Sequence, residues 1–220
     1  VSTILKEELS VLDEAAVQLG QLESTGALHI AEDGGNKNYF LYDPKALERL
    51  MLSMKKAERL KYDDSSPSAY MIAYMSTSFF DLCGFWTIDM SAAKKGYGPI
   101  AYEIVMSTVS PGFVSSDRKS VSPDARRVWQ YFYNNRANEF NIKQIDPNQV
   151  DDACLNPNSK TDKALTYMFS LKNKINTGKL QARHQQFVRD MEMSGFDEGI
   201  IAQFLHDKGK IFFREYHKTV

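Results

Sequence analysis

Phe85-Trp86-Thr87-Ile88-Asp89-Met90, followed by Ala93-Lys94-Lys95-Gly96-Tyr97-Gly98-Pro99, is the stretch that decides how this chain folds. Its first part is rich in aromatic and β-branched residues, the composition of a strand covered on both faces inside a sheet. Its second part combines glycine with lysine and ends on a proline suited to opening a helix. The spacing predicts a helix from Pro99 to about Thr108, with Ile100, Ala101, Ile104, Val105 and Met106 on the buried side and Glu103 facing solvent. Amides at the start of a helix have no partner within it, and the helix dipole places partial positive charge there. Glycines at alternate positions let the backbone approach a phosphate closely, since no Cβ intervenes. Lys94 and Lys95 add charge. The bare G-x-G pattern allows two readings, a phosphate cradle or a tight strand-to-helix turn.

Upstream, Ala69–Met75 and the run from Phe79 are nearly continuous in apolar residues and read as further central strands. Before them, Asp43-Pro44 is a helix start, with leucines at 47, 50 and 52 on a helix that ends near Lys61. Gly34-Gly35 lies between two short apolar segments, 26–31 and 39–42, and predicts a β-hairpin. The apolar spacing from Ile4 to Leu22 predicts a one-sided N-terminal helix within residues 1–25.

Downstream, Phe113–Ser116 reads as a short strand and Ser122-Pro123-Asp124 as the start of a helix running to about Arg136. Residues 137–163 are polar, with Asp146-Pro147 and Asn156-Pro157, and read as an irregular insertion. Ala164–Leu171 is a predicted strand. Helices follow at about Gln181–Met193 and Glu198–His206, and Lys210–Tyr216 reads as a closing strand. The expectation is one α/β domain spanning 1–220.

Composition narrows the partners. The chain has 220 residues, 43% hydrophobic and 25% charged, enough to bury a core without staples. With 27 basic against 28 acidic residues there is no overall field for a polyanion, so nucleic-acid binding is not expected. The basic clusters Lys55–Lys61 and Arg118-Lys119 with Arg126-Arg127 read as solvated helix faces. Cys83 and Cys154 lie far apart, a spacing that argues against zinc and a disulfide framework and for free thiols in a reducing compartment. The four histidines show no ligand spacing, so no metal is expected. Nothing resembles a leader, and no apolar run approaches the ~20 residues of a membrane span. The expected location is the cytoplasm.

The strand, the loop Lys94–Gly98 and the helix after it resemble motif A of the GNAT superfamily of N-acetyltransferases, in which a strand leads into [Q/R]-x-x-G-x-[G/A]. The resemblance covers residues 27–136 well and 164–216 loosely. It implies a central mixed, splayed β-sheet flanked by helices, here with an extra N-terminal helix and a C-terminal helical addition. It also implies acetyl-CoA or another acyl-CoA as cofactor. Its pyrophosphate would lie on Lys94, Lys95, Gly96, Tyr97 and Gly98, and its extended arm along the strand at Ile88 and Met90. The wording Lys95-Gly96-Tyr97-Gly98-Pro99, with Val121-Ser122-Pro123 and Val128-Trp129, is similar to GNAT-like proteins encoded by tailed bacteriophages.

Three positions depart from the family pattern. Ala93 stands at the usual Gln or Arg, and Pro99 removes an amide. Trp129 stands where a tyrosine often protonates the leaving thiolate. Tyr133, one turn on, and Tyr97 in the loop are the candidate replacements, with core packing as the other reading of Tyr133 and its neighbour Tyr131. Asp89 and Asp81 are candidate bases toward an amine, with a hydrogen-bonded structural acid as the other reading of each. Asp117-Arg118 reads as a local salt bridge. The resulting expectation is an N-acyltransferase acting on a small-molecule or protein amine. The alternative is a non-catalytic protein of the same fold, a virion component or a module that binds a host protein. A homo-oligomer is compatible with either.

Overall fold

The apolar stretch from Met71 to Ala93 folds as a hairpin of two long strands, and the rest of the molecule is arranged about it. The computed structural model describes residues 19–54, 63–81, 83–110, 112–118, 120–145, 154 and 162–218. Its seven strands are β1 (Ala27–Asp33), β2 (Asn36–Tyr42), β3 (Met71–Phe80), β4 (Phe85–Ala93), β5 (Val114–Ser116), β6 (Phe140–Gln144) and β7 (Tyr167–Leu171). They form one sheet in the order β1-β2-β3-β4-β5-β7-β6. Only the β4–β5 pair is parallel. The fold is mixed α/β, as expected.

Helices cover both faces: α1 (Pro44–Ser53), α2 (Gly98–Thr108), α3 (Pro123–Asn135), α4 (Gly178–Met193) and α5 (Glu198–Lys218). The punctuation foreseen in the sequence sets three of them. Asp43 caps α1 by accepting from the amides of Lys45 and Ala46, with Pro44 in its first turn. Ser122 caps α3 through the Ala125 amide. Pro99 sits in the first turn of α2. One core joins α2, α3 and the helical segment 19–25 to the sheet. A second, on the other face, is built from α1, α4 and α5. Of the predicted N-terminal helix, residues 1–18 lie outside the described residues, as do residues 55–61 of the helix predicted to start at Asp43-Pro44.

Four expectations are corrected. Lys210–Tyr216 is not a strand but the second half of α5, which is a single helix. Ile201, Leu205, Lys208 and Phe212 are all buried at helical spacing, and that stripe overrides the short apolar run Ile211–Phe213. Gly209 makes this packing possible, since a Cβ there would lie 2.6 Å from Tyr74 Cδ2 and 2.7 Å from Phe40 Cε1.

Within the supposed irregular insertion, β6 pairs with β7 from Phe140↔Leu171 to Gln144↔Tyr167. Cys83 and Cys154 form a disulfide with their Cα atoms 5.8 Å apart, so separation in sequence gave the wrong inference. Glu103 is buried, because α2 is covered all round from Ile100 to Met106, and it pairs with Arg136 at the end of α3. Burial pushes the Glu103 pKa up, partly offset by the Arg136 hydrogen bond.

Candidate functional site

The site follows from a change halfway along β4. Over Trp86, Thr87 and Ile88 the strand pairs on one edge with β3 and on the other with Val114, Ser115 and Ser116 of β5. β5 then ends, while β4 runs on to Ala93. At the same point the β3–β4 register shifts: Ser76 faces Met90 and Thr77 faces Ile88, leaving Asp89 as the extra residue of a bulge. A bulge inverts the alternation of side chains beyond it. Trp86 and Ile88 therefore join the α2–α3 core, whereas Met90 and Ala92 pack with the opposite one. Ile88 lines the cleft beneath the splayed strands, and Met90 is not among its lining residues.

The loop after β4 is held at both ends. The Lys94 amide donates to Ile72 O (2.9 Å), and the Tyr97 amide closes a turn on Lys94 O (2.9 Å). Gly96 sits in that turn at φ +87°, a left-handed conformation natural to glycine. The Ala101 amide then makes the first bond of α2, to Tyr97 O. Lys94, Lys95, Gly96, Gly98 and Pro99 all line the cleft. This is an open strand-to-helix loop, as the sequence indicated. Burial lowers the Lys94 pKa, with Asp43 acting in the opposite direction.

The cleft has two lobes, of about 320 Å³ and about 230 Å³. The larger includes Asp89, Ser116 and Asp117. The smaller carries Lys94, Lys95 and Arg127, with Asp124 beside them. Ser91, Tyr102, Ser122, Ala125 and His217 line both lobes and so mark their junction. There the Tyr102 and Ser91 hydroxyls are 2.9 Å apart. Burial pushes the Tyr102 pKa up to about 12, opposed by its bond with Ser91. Asp89 accepts from Thr87 Oγ1 (2.7 Å) and Asp117 from the Ser120 amide (3.1 Å).

Behind the larger lobe, Arg118 is buried, and the neighbouring Asp117 charge partly offsets the burial that lowers its pKa. Its guanidinium donates to Ser116 O, Ser115 Oγ and Ser116 Oγ, and to the carbonyls of Cys154 and Leu165. It thereby fixes the end of β5, and burial lowers its pKa to about 10. Arg126 lies 3.6 Å from Asp162 and Arg127 2.8 Å from Asp124, so acidic neighbours accompany the Arg126-Arg127 part of the second basic cluster. The 55–61 cluster lies outside the described residues.

The tyrosines chosen from sequence are elsewhere. Tyr133 stacks on Tyr167 with ring centroids 5.1 Å apart, and it does not line the cleft. The Tyr97 hydroxyl donates to Gln21 Oε1 (3.3 Å), and its ring packs against the α2–α3 core. Trp129 is buried with its ring 5.2 Å from that of Tyr102, edge to face. The hydroxyl next to Trp129 thus comes from α2 and not from α3. Tyr102 escapes sequence reasoning because it lies inside an apolar helical run, and His217 because the second half of α5, Lys210–Tyr216, reads as a strand. Among the described residues, no group of three or more His, Cys, Asp or Glu could hold a metal ion, and no helix is long and apolar enough to cross a membrane. No protein-family model, curated protein or solved structure matches this chain.

Proposed function

We propose that the protein is an acyl-CoA-dependent N-acyltransferase of the GNAT kind, acting on an amine. The observation that carries the reading is the half-open β4. Pairing with β5 stops at Ile88–Ser116, Asp89 forms a bulge, and the strand runs on past the end of β5 directly into a glycine loop at a helix start. An extended ligand with amides can add to such an edge as a strand would, and its phosphates suit the loop.

The residues present fit the group. Lys94, Lys95, Gly96 and Gly98 would face the phosphates, with Arg127 in the same basic lobe. The edge of residues 89–93 would take the extended arm. The cofactor supplies an acyl thioester. The chain supplies position, which can account for much of the rate in a site poor in reactive side chains. The amine would enter the lobe of Asp89 and Asp117, whose carboxylates favour a cation. Asp89 Oδ1, oriented by Thr87, is the candidate acceptor of its proton. Tyr102 Oη keeps its own proton at neutral pH and holds it at the junction of the lobes.

Calorimetric titration with acetyl-CoA tests the reading. Binding in the micromolar range is expected, weakened by ~1–3 kcal/mol in Gly98→Val, whose side chain would press on Val128. No heat at millimolar ligand would defeat it. A second reading is favoured by Trp129 and by the absence of Tyr133 and Tyr97 from the residues that line the cleft: a non-catalytic protein of the same fold, in a phage particle or bound to a host protein. Tight CoA binding with no thiol release on any primary amine would select it.

A further inference from the structure

We propose that the last turn of α5 is a strap across the cofactor arm of the cleft, released when an acyl-CoA enters. The proposal rests on the acyl-CoA reading and adds a gate to it. His217 Nε2 lies 3.3 Å from Ser91 O, on the part of β4 that has lost its β5 partner. A carbonyl can only accept, so Nε2 is the donor in this contact. A ligand that extends the sheet along this edge must use the backbone groups of the same residues. The imidazole therefore stands in the place of the ligand's own donor. It is not alone there: Phe213 reaches the larger lobe, Tyr216 the smaller, and His217 both. The Phe213 and His217 rings meet with centroids 4.4 Å apart, so these two side chains line the cleft together.

The rest of the helix is anchored independently of this turn. Ile201, Leu205 and Phe212 are buried in the α1–α4–α5 core. Lys208 Nζ is 2.6 Å from Asp63 Oδ2 and donates to the carbonyls of Asp63 and Ser65. Gly209 lets the helix backbone rest on the Tyr74 and Phe40 rings. Beyond Phe212, residues 213–217 are half-buried or exposed. The Ser66 hydroxyl donating to Glu215 (2.7 Å), the His217 contact with Ser91 and the packing of Phe213 and Tyr216 on the edge of the α1–α4–α5 core hold them down. Segments with fewer buried contacts open at lower free-energy cost than the core, so residues 213–217 can lift while Ile201–Phe212 stays seated. A closed strap lowers the apparent affinity by the fraction of molecules that are open.

The test measures acetyl-CoA affinity by calorimetry and amide hydrogen exchange over residues 213–218, in the full chain and in His217→Ala and Phe213→Ser/His217→Ala variants. The strap predicts that each variant binds acetyl-CoA more tightly than the parent, about tenfold for the double variant. It also predicts that adding acetyl-CoA to the parent speeds exchange across 213–218. Equal affinity in all three proteins, with exchange there unchanged or slowed, would overturn the strap and leave the acyl-CoA site standing. Weaker binding in His217→Ala would also overturn it, making His217 a ligand contact. No binding by any of the three would remove the acyl-CoA reading and the strap with it.

Discussion

The two halves of β4 differ in composition, Phe85-Trp86-Thr87-Ile88 against Asp89-Met90-Ser91-Ala92-Ala93, and in what surrounds them. Phe85–Ile88 is buried and paired on both edges at Trp86–Ile88; residues 89–93 are more exposed, with Asp89 in the bulge and Met90–Ala93 paired with β3 beyond the end of β5. The first half holds the sheet together. The second has one edge of backbone groups turned to a cleft, because β5 is only three residues long and Asp89 bulges. Binding capacity arises where strand pairing is withdrawn, provided the rest of the sheet is stable enough to tolerate it.

The contrast can be broken most directly at Trp86. Trp86→Ala, in the paired half, should cost ~3–5 kcal/mol in urea unfolding, as for other large core deletions. A loss below about 1 kcal/mol would show that the paired half is not the anchor. Next in size is Gly209, which seats α5 over the opposite face. Gly209→Ala should cost ~1–3 kcal/mol through overpacking against Tyr74 and Phe40. An unchanged urea midpoint would mean that α5 sits further from the sheet.

A third test separates both halves from the β1 end of the sheet. His184 accepts or shares a proton with the Tyr42 hydroxyl (2.8 Å), and its ring lies 4.3 Å from that of His29. Burial lowers the His184 pKa from the ordinary 6.5 to about 3, helped by the neighbouring His29. The unfolded chain then binds a proton that the folded chain refuses. This contribution to stability is present in full above pH 6.5 and falls away as the pH drops toward 3. Melting temperature should therefore decline by several degrees from pH 7.5 to pH 5, and His184→Gln should flatten that decline. An equally steep decline in the variant would place the acid sensitivity elsewhere. The smallest effect belongs to the open half. Tyr102→Phe should cost only ~1 kcal/mol of stability, the worth of its bond to Ser91, while slowing any acyl transfer. Unaltered turnover would show that the hydroxyl at the junction is a packing feature.

Much of this was readable in the sequence wherever local chemistry decides. Asp43-Pro44, Ser122-Pro123 and Gly34-Gly35 set a cap, a cap and a hairpin within a few residues, and each stands as read. The loop at Lys94–Gly98 was legible for the same reason. What could not be read depends on distant partners. The bulge at Asp89 exists only in the register with β3, and it alone separates Ile88 from Met90. β6 is half polar and is stabilised by β7. Glu103 looked solvent-facing because Arg136, which neutralises it, comes from another helix. The Cys83–Cys154 bond joins residues 71 apart. Tyr102 and His217 reach the junction through tertiary packing, which no spacing in the sequence announces.

The central claim is that the open half of β4 and the loop beyond it bind an acyl-CoA while the paired half does not take part. Backbone amide NMR of the full chain, titrated with acetyl-CoA, puts this to the most direct test. The account predicts saturable shifts concentrated on the amides of residues 89–98, with those of residues 85–88 moving little. Shifts spread equally over both halves, or none at millimolar acetyl-CoA, would contradict it.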